Sequence, residues 1–276
     1  MSSQDRKPDS ALTSGADATG DAIAPDAQQS AGGSSTHFGF REVDETVKAG
    51  LVGEVFSSVA SRYDLMNDLM SFGVHRYWKQ VMVEWLRPTP DMHVLDVGGG
   101  TGDIAIRILK AGGGAVSVVD INREMLSVGR DRALDAGRVR NLDWICGDAE
   151  RLPIASSSVD AYTIAFCIRN VTRIAAALAE ARRVLKPGGR FLCLEFSRVA
   201  LPVLDGLYDA YSFRVLPRLG QAVAGNAEAY RYLVESIRRF PPQDAFARMI
   251  GDAGLDQVRY RNLSGGIAAL HSAWRT

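Results

Sequence analysis

Cysteine is scarce in this chain. Its three cysteines, Cys146, Cys167 and Cys193, stand 21 and 26 residues apart with no C-x-x-C pair, so neither a disulfide framework nor zinc-ligand spacing is present and a reducing cytoplasm suits the chain. No apolar run approaches the roughly 18 residues that cross a bilayer, and no basic region followed by an apolar core opens the N-terminus. An excess of charge is missing as well. Thirty-two Lys and Arg stand against 32 Asp and Glu, so no global field draws a polyanion, and nucleic acid is not an expected partner. Histidine is rare, and His75, His93 and His271 have no metal-ligand spacing; they are expected to be structural, with no metal. Residues 1–36 hold no aromatic side chain and only Met1, Leu12 and Ile23 as sizeable apolar groups. Such a segment cannot offset its ordering entropy, about 1–2 kcal/mol per residue, and is expected to be a disordered tail. Five aspartates against Arg6 and Lys7 argue against a transit peptide.

What remains, with 46% apolar and 23% charged residues overall, is ordinary globular composition. Apolar periodicity from residue 43 onward alternates between helical and strand-like, the pattern of an α/β fold with a mainly parallel sheet and helices on both faces. Helices are expected where Leu51, Val52, Val55, Phe56 and Val59 recur, and over 75–86 ahead of Pro88, giving a helical cap over 43–90. Strands are expected over 93–97, 115–120, 142–146, 159–166 and 190–197, separated by helices over 102–111, 122–136 and 172–185, the last stopped by Pro187-Gly188-Gly189. A mostly helical insertion is expected over 198–240, then a helix over 243–253 and strands over 255–260 and 267–273. The domain is taken to run from 37 to 276.

The informative segment is Val94-Leu95-Asp96-Val97-Gly98-Gly99-Gly100-Thr101-Gly102-Asp103, a strand entering a helix. Glycines at 98, 100 and 102 let a ligand lie against bare backbone beside the positive end of a helix. With Gly98 and Gly100 in place, the third glycine of the dinucleotide fingerprint falls on Asp103, so that motif fails. Asp96 would repel a pyrophosphate and suits a cationic ligand. Asp120 closes the next strand, 18 residues after Gly102, where a carboxylate takes the hydroxyls of a ribose. Asp148, followed by Ala149, stands at the end of the third strand, placed to meet a purine.

This constellation resembles the class I S-adenosylmethionine-dependent methyltransferases. The resemblance implies a Rossmann-like sheet, mostly parallel with an antiparallel C-terminal strand. It also implies S-adenosyl-L-methionine as methyl donor, held by Asp96, Gly98, Gly100, Thr101 and Gly102 at the methionine part, Asp120 at the ribose, and Asp148 with Ala149 at the adenine. Met125 would pack on the adenine or in the core.

Five further stretches sharpen the resemblance to the ubiquinone/menaquinone biosynthesis C-methyltransferases. They are Thr36-His37-Phe38-Gly39-Phe40, the run from Val55-Phe56 through Ser61-Arg62-Tyr63-Asp64 to Val74-His75-Arg76, Ile168-Arg169-Asn170-Val171, Tyr208-Asp209-Ala210-Tyr211-Ser212-Phe213, and the run from Tyr230-Arg231-Tyr232-Leu233 to Phe240-Pro241, with Ala269-Leu270-His271 near the end. The match covers about residue 36 to the end. This chain departs from the family at Ala165, where Ser is common, and at Cys167, where Gly is usual. The resemblance implies C-methylation of a polyprenylated quinol ring. A phenolic proton must leave so that charge reaches the ortho carbon; Arg169 is the expected catalytic cation, Asn170 an orienting donor, and Tyr63 a residue that closes the pocket, holds a quinol oxygen or is simply buried. The runner-up is a class I O- or N-methyltransferase of another small metabolite. A polyprenyl tail needs an apolar path. Leu204, Leu207, Tyr208, Tyr211 and Val215 form one helical stripe, either core or a lid touching a membrane surface, with Arg214 and Arg218 near lipid phosphates. Peripheral contact with the inner membrane and membership of a quinone-synthesis assembly are among the expected partnerships.

Overall fold

Val94, Leu95 and Val97 are all within 1% of complete burial, as are Val116, Val118 and Val119 one strand away. Runs of branched apolar residues that alternate neither face to water are the mark of central parallel strands covered by helices. A computed structural model of the chain, describing residues 34–59, 68, 71, 73–138, 140–198 and 227–276, shows such a sheet. Its strands are β3 (His93–Val97), β4 (Ala115–Asp120), β5 (Leu142–Cys146), β6 (Val159–Ala165), β7 (Leu185–Phe196), β8 (Asp256–Leu263) and β9 (Ala268–Trp274), after a separate hairpin of β1 (Ser35–Phe38) and β2 (Arg41–Asp44). The order across the seven-stranded sheet is β5-β4-β3-β6-β7-β9-β8. Strands β3 to β7 run parallel, with β3 taking Ala115 and Ala161 as neighbours of His93 and Val94, whereas β9 is antiparallel to both β7 and β8. The chain therefore leaves the sheet centre in opposite directions from β3 and β6, and the crevice at their carboxyl ends is where such sheets bind ligands.

The helices are α1 (Glu45–Val59), α2 (His75–Leu86), α3 (Asp103–Lys110), α4 (Arg123–Asp135), α5 (Ile174–Val184), α6 (Ala227–Arg239) and α7 (Gln243–Asp252). One face of the sheet meets Trp78 and Met82 of α2, Ile104 and Ile108 of α3, and Leu233 and Ile237 of α6. The other meets Leu178 and Ala181 of α5 and Phe246 and Ile250 of α7. Both layers of helix expected from the periodicity are present. The hairpin was not anticipated: β1 begins at Ser35, and the chain is strand through Asp44 before turning helical. Gly39, at φ 60°, makes the reversal, where a side chain would run into Glu235. Phe38 stacks on Tyr232 of α6 with ring centroids 4.2 Å apart, and the Phe40 amide donates to Glu235 Oε2 at 3.0 Å. The seventh strand also starts earlier than expected, at Leu185 directly after α5, with Pro187-Gly188-Gly189 inside it. The register between β6 and β7 jumps from Val159↔Leu185 to Ala161↔Arg190, so the Pro-Gly-Gly segment is a bulge inside the strand, and the helix has already ended at Val184. Most of the tail, Tyr63, and the insertion stripe from Leu204 to Val215 lie outside the described residues.

Candidate active site

A cleft opens at the carboxyl ends of β3, β4, β5 and β6. The Gly98–Gly102 loop that forms its floor has positive φ at Gly98 (61°), Gly100 (54°) and Gly102 (75°). Two of these cannot be replaced without collision. A Cβ on Gly98 would fall on the Cys167 side chain, and one on Gly102 would lie 2.5 Å from Trp144 Cη2. Trp144, on β5, thus lies directly against the loop.

Asp96 ends β3 beneath this loop and is 1% exposed. Its Oδ1 accepts from the Thr163 hydroxyl at 2.8 Å; its Oδ2, equally buried, has no hydrogen-bond partner among the described residues. Burial pushes the Asp96 carboxyl up to about 7, against the opposing pull of Thr163 and the Lys79 ammonium. Asp120, at the end of β4, is held by backbone: Gly100 N donates to Oδ2 at 2.9 Å and Asn122 N to Oδ1 at 2.8 Å. Burial raises its pKa and these amide donors oppose the rise. A carboxylate so fixed keeps lone pairs for two neighbouring hydroxyls. Asp148 accepts from Glu150 N at 2.9 Å, and with Ala149, Thr101 and Met125 it lines the same cleft. Every cofactor-side residue expected from the sequence lies in or beside one cavity.

The wall opposite the loop is α1, which contributes Ala49, Val52, Gly53 and Phe56. It is tied down by Lys48, whose Nζ donates to the Val171 carbonyl at 2.9 Å. Asn122 makes a second tie. Its Oδ1 accepts from Glu124 N and Met125 N, capping α4, while its Nδ2 donates to Ser57 Oγ at 3.0 Å and to the Gly53 carbonyl at 3.4 Å.

Arg169 and Asn170 sit in a short turn, Ile168–Asn170, after β6. Their side chains part company. Asn170 lines the cleft, and its Oδ1 accepts from the Tyr232 hydroxyl at 3.0 Å. The Arg169 side chain is only 1% exposed and forms an ion pair with the equally buried Glu195 at 2.7 Å. Its Nη1 also donates to the Phe166 carbonyl at 2.6 Å and its Nε to Ser236 Oγ at 3.3 Å, and it is not among the residues lining the cavity. Burial raises the Glu195 carboxyl while Arg169 pulls it down.

A family model described as the ubiE/COQ5 methyltransferase family matches residues 42–275. The chain belongs to that family. Its members include the ubiquinone/menaquinone biosynthesis C-methyltransferase UbiE of Brucella abortus (strain S19), 58% identical over 256 residues that span 91% of this chain and 95% of that protein. The protein of the same description from Brucella anthropi is 58% identical over 248 residues, 88% of this chain and 94% of its own. A solved SAM-dependent methyltransferase from Thermotoga maritima shares the fold at TM-score 0.57 and 18% identity, over 81% of this chain and 99% of its own. Phosphoethanolamine N-methyltransferase 2 of Haemonchus contortus, solved with S-adenosyl-L-methionine, does so at TM-score 0.55 and 14% identity, over 72% of this chain and 52% of its own.

The methyl donor of such a family fits the cavity of this member. The buried Asp96 Oδ2, without a partner among the described residues, suits an ammonium, and Asp120, held by two amides, suits the hydroxyls of a ribose. Three contributors escaped the sequence reading. Lys79 of α2 lines the cleft and pairs with Asp103 at 2.9 Å, yet it lies 17 residues before Asp96 on a helix whose pattern reads as ordinary core. Glu195 sits in an apolar strand, and Tyr232 in a helix whose partner, the hairpin, was not foreseen. Only the isolated charge of Lys79 and Glu195 amid apolar neighbours carried a signal, since buried charges are rare unless paired.

Proposed function

We propose that the chain transfers the methyl of S-adenosylmethionine to a ring carbon of a polyprenylated quinol in ubiquinone and menaquinone biosynthesis, a reading supported by its 58% identity to C-methyltransferases of that description. The observation that carries it is the pair of buried carboxylates on a glycine loop: Asp96 with one open oxygen and Asp120 held by two amides. That arrangement repels a dinucleotide and receives a cationic nucleoside. When bound, S-adenosylmethionine supplies an electrophilic methyl on a positively charged sulfur.

The residues around it bind and orient. Asp96 Oδ2 accepts from the ammonium of the amino-acid end, and Asp120 from the ribose hydroxyls. On the substrate side, the Tyr232 hydroxyl occupies Asn170 Oδ1, so the amide offers its Nδ2 N–H groups to a quinol oxygen. Donors aimed at that oxygen favour the phenolate, its proton passing to water, and the charge reaches the ortho carbon; once that carbon holds the methyl, its own ring proton is lost to water and aromaticity returns. Arg169 acts through position: locked on Glu195 and the Phe166 carbonyl, it fixes the turn that presents Asn170. Tyr63 belongs to the same substrate side in this reading, where it closes the pocket. Alignment of the quinol carbon with the methyl and exclusion of water provide the acceleration.

The test is turnover of a short-chain quinol by pure protein, with the product's methyl located by NMR. A methyl on a ring carbon is the expected result, and a methyl on oxygen or nitrogen would replace the reading with the small-metabolite alternative. An Asn170→Ala variant should bind the nucleoside normally and lose most turnover; full turnover would remove Asn170 from the mechanism. Peripheral membrane contact through Leu207 and Tyr211 is part of the proposal, although among the described residues no helix is long and apolar enough to cross a membrane. Equal flotation of the wild type and a Leu207→Asp, Tyr211→Asp variant on liposomes would withdraw it.

A further inference from the structure

The amino-acid end of the proposed methyl donor carries two opposite charges, an ammonium and a carboxylate. The cleft treats them unequally. Among the described residues that line it, five are carboxylates, Asp96, Asp103, Asp120, Asp148 and Glu150, and one is a cation, Lys79. An ammonium entering this space finds acceptors readily, and a carboxylate meets repulsion everywhere except at Lys79.

The glycine loop does little to relieve that repulsion, because its amides are largely spent inside the fold. Gly99 N donates to the Val119 carbonyl and Gly102 N to the Gly99 carbonyl, at 3.2 and 2.8 Å, and Gly100 N is committed to Asp120. Lys79 is different. Its side chain is 5% exposed, and among the described residues it pairs with Asp103, itself 36% exposed. Asp103 has a second cation in Arg107, whose Nε donates to Oδ1 at 3.0 Å, so Asp103 stays paired if Lys79 turns away. Burying an ammonium is expensive, and an apolar side chain would fill the same place on α2 at less cost. A buried lysine whose carboxylate partner is already served by another cation is placed for a visiting anion.

Resting on the cofactor reading above, the geometry points to Lys79 as the counter-ion of the donor's α-carboxylate, with Asp103 as its partner while the cleft is empty. Asp96 and Lys79 then form a matched pair, one for each charge of the amino-acid end, and this sets the direction in which the nucleoside lies along the loop. They also make the carboxylate a specificity element: a nucleoside lacking it loses the one favourable cation and gains nothing.

The test compares S-adenosylhomocysteine with its decarboxylated analogue by titration calorimetry on the full chain. The wild type should bind the acid about ten- to a hundredfold more tightly, the worth of a charge-assisted hydrogen bond. Lys79→Met should bring that ratio close to one, and Lys79→Arg should restore part of it. Equal binding of the two ligands by the wild type would overturn the assignment whatever the variants do. So would a Lys79→Met protein that weakens both ligands alike, which is what a purely structural lysine predicts. Asp103→Asn, which keeps Lys79, should preserve the discrimination, and its loss there would overturn the assignment of Lys79 as an independent counter-ion. A wild type that binds neither ligand would instead sink the cofactor reading itself.

Discussion

The unpartnered oxygen of Asp96 makes nucleoside binding depend on pH in a calculable way. Burial holds the carboxyl at about 7 in the empty cleft, so near neutrality roughly half of the free protein carries a protonated Asp96. The Thr163 hydroxyl and the charges of Lys79, Asp103 and Asp120 surround it, and none of them leaves it ionised at pH 6. An arriving ammonium requires the ionised form. Affinity should then follow the ionised fraction of the free protein, about 0.09 at pH 6 and about 0.9 at pH 8, a gain of about tenfold or about 1.4 kcal/mol. Binding should release about 0.9 proton at pH 6 and about 0.1 at pH 8. Calorimetry with S-adenosylhomocysteine in two buffers of different ionisation enthalpy reads both quantities. Asp96→Asn should bind more weakly and show a flat profile across the same window. Stability of the empty protein moves the other way. Because the folded pKa is raised above the ordinary 3.8, the contribution of Asp96 is fully present below about 3.8 and is lost as pH rises through about 7. A wild-type affinity that stays level between pH 6 and pH 8 would refute the argument, since it would mean that no carboxyl changes charge when the ligand binds.

Three other outcomes follow from the same geometry. Gly102→Ala places a methyl 2.5 Å from Trp144 Cη2 at a φ of 75°; it should cost about 1–3 kcal/mol in thermal unfolding and weaken the nucleoside, and an unchanged melting temperature would contradict the packing. Removing either partner of the Arg169–Glu195 pair, buried to 1% on both sides, should cost about 3–5 kcal/mol, whereas Arg169→Met with Glu195→Leu should recover much of the loss; a double variant as unstable as the sum of the singles would show that the two charges do not answer each other. His75 and His271 are both held at about 4 by burial, below the ordinary 6.5, so their stabilisation is complete above about 6.5 and fades as pH falls toward 4. Measured by urea unfolding, the protein should gain about 4 kcal/mol more stability between pH 5 and pH 7 than a variant with both histidines replaced by Gln, and an equal gain in the two would mean the rings are not buried.

The first strands of the sheet were legible from their apolar content and their bounds. Strands β3, β4 and β5 fall on the residues expected, β3 and β4 because branched apolar residues dominate them, and β5 because Leu142, Trp144 and Ile145 stand between turn residues. The hairpin was not legible: His37 and Glu42 face each other with little apolar content, and its stability comes from Phe38 meeting Tyr232, almost two hundred residues away in sequence. Asp96, the glycine loop, Asp120 and Asp148 were found because each lies at a strand end, where topology brings them together without further information. Arg169 and Asn170 illustrate the limit. Adjacent in sequence, they are sent to opposite destinations by a short turn, one to Glu195 inside the core and one to the cleft. Lys79 and Glu195 depend on pairings across helices and strands that no local period encodes.

Asn122 joins the helix covering the cleft to the strand end at Asp120: its side-chain Nδ2 donates to Ser57 on α1 and its backbone N–H donates to the Asp120 carboxylate. Lifting α1 therefore strips a partner from the residue whose backbone steadies that acid, so opening the roof and slackening the floor are coupled through Asn122.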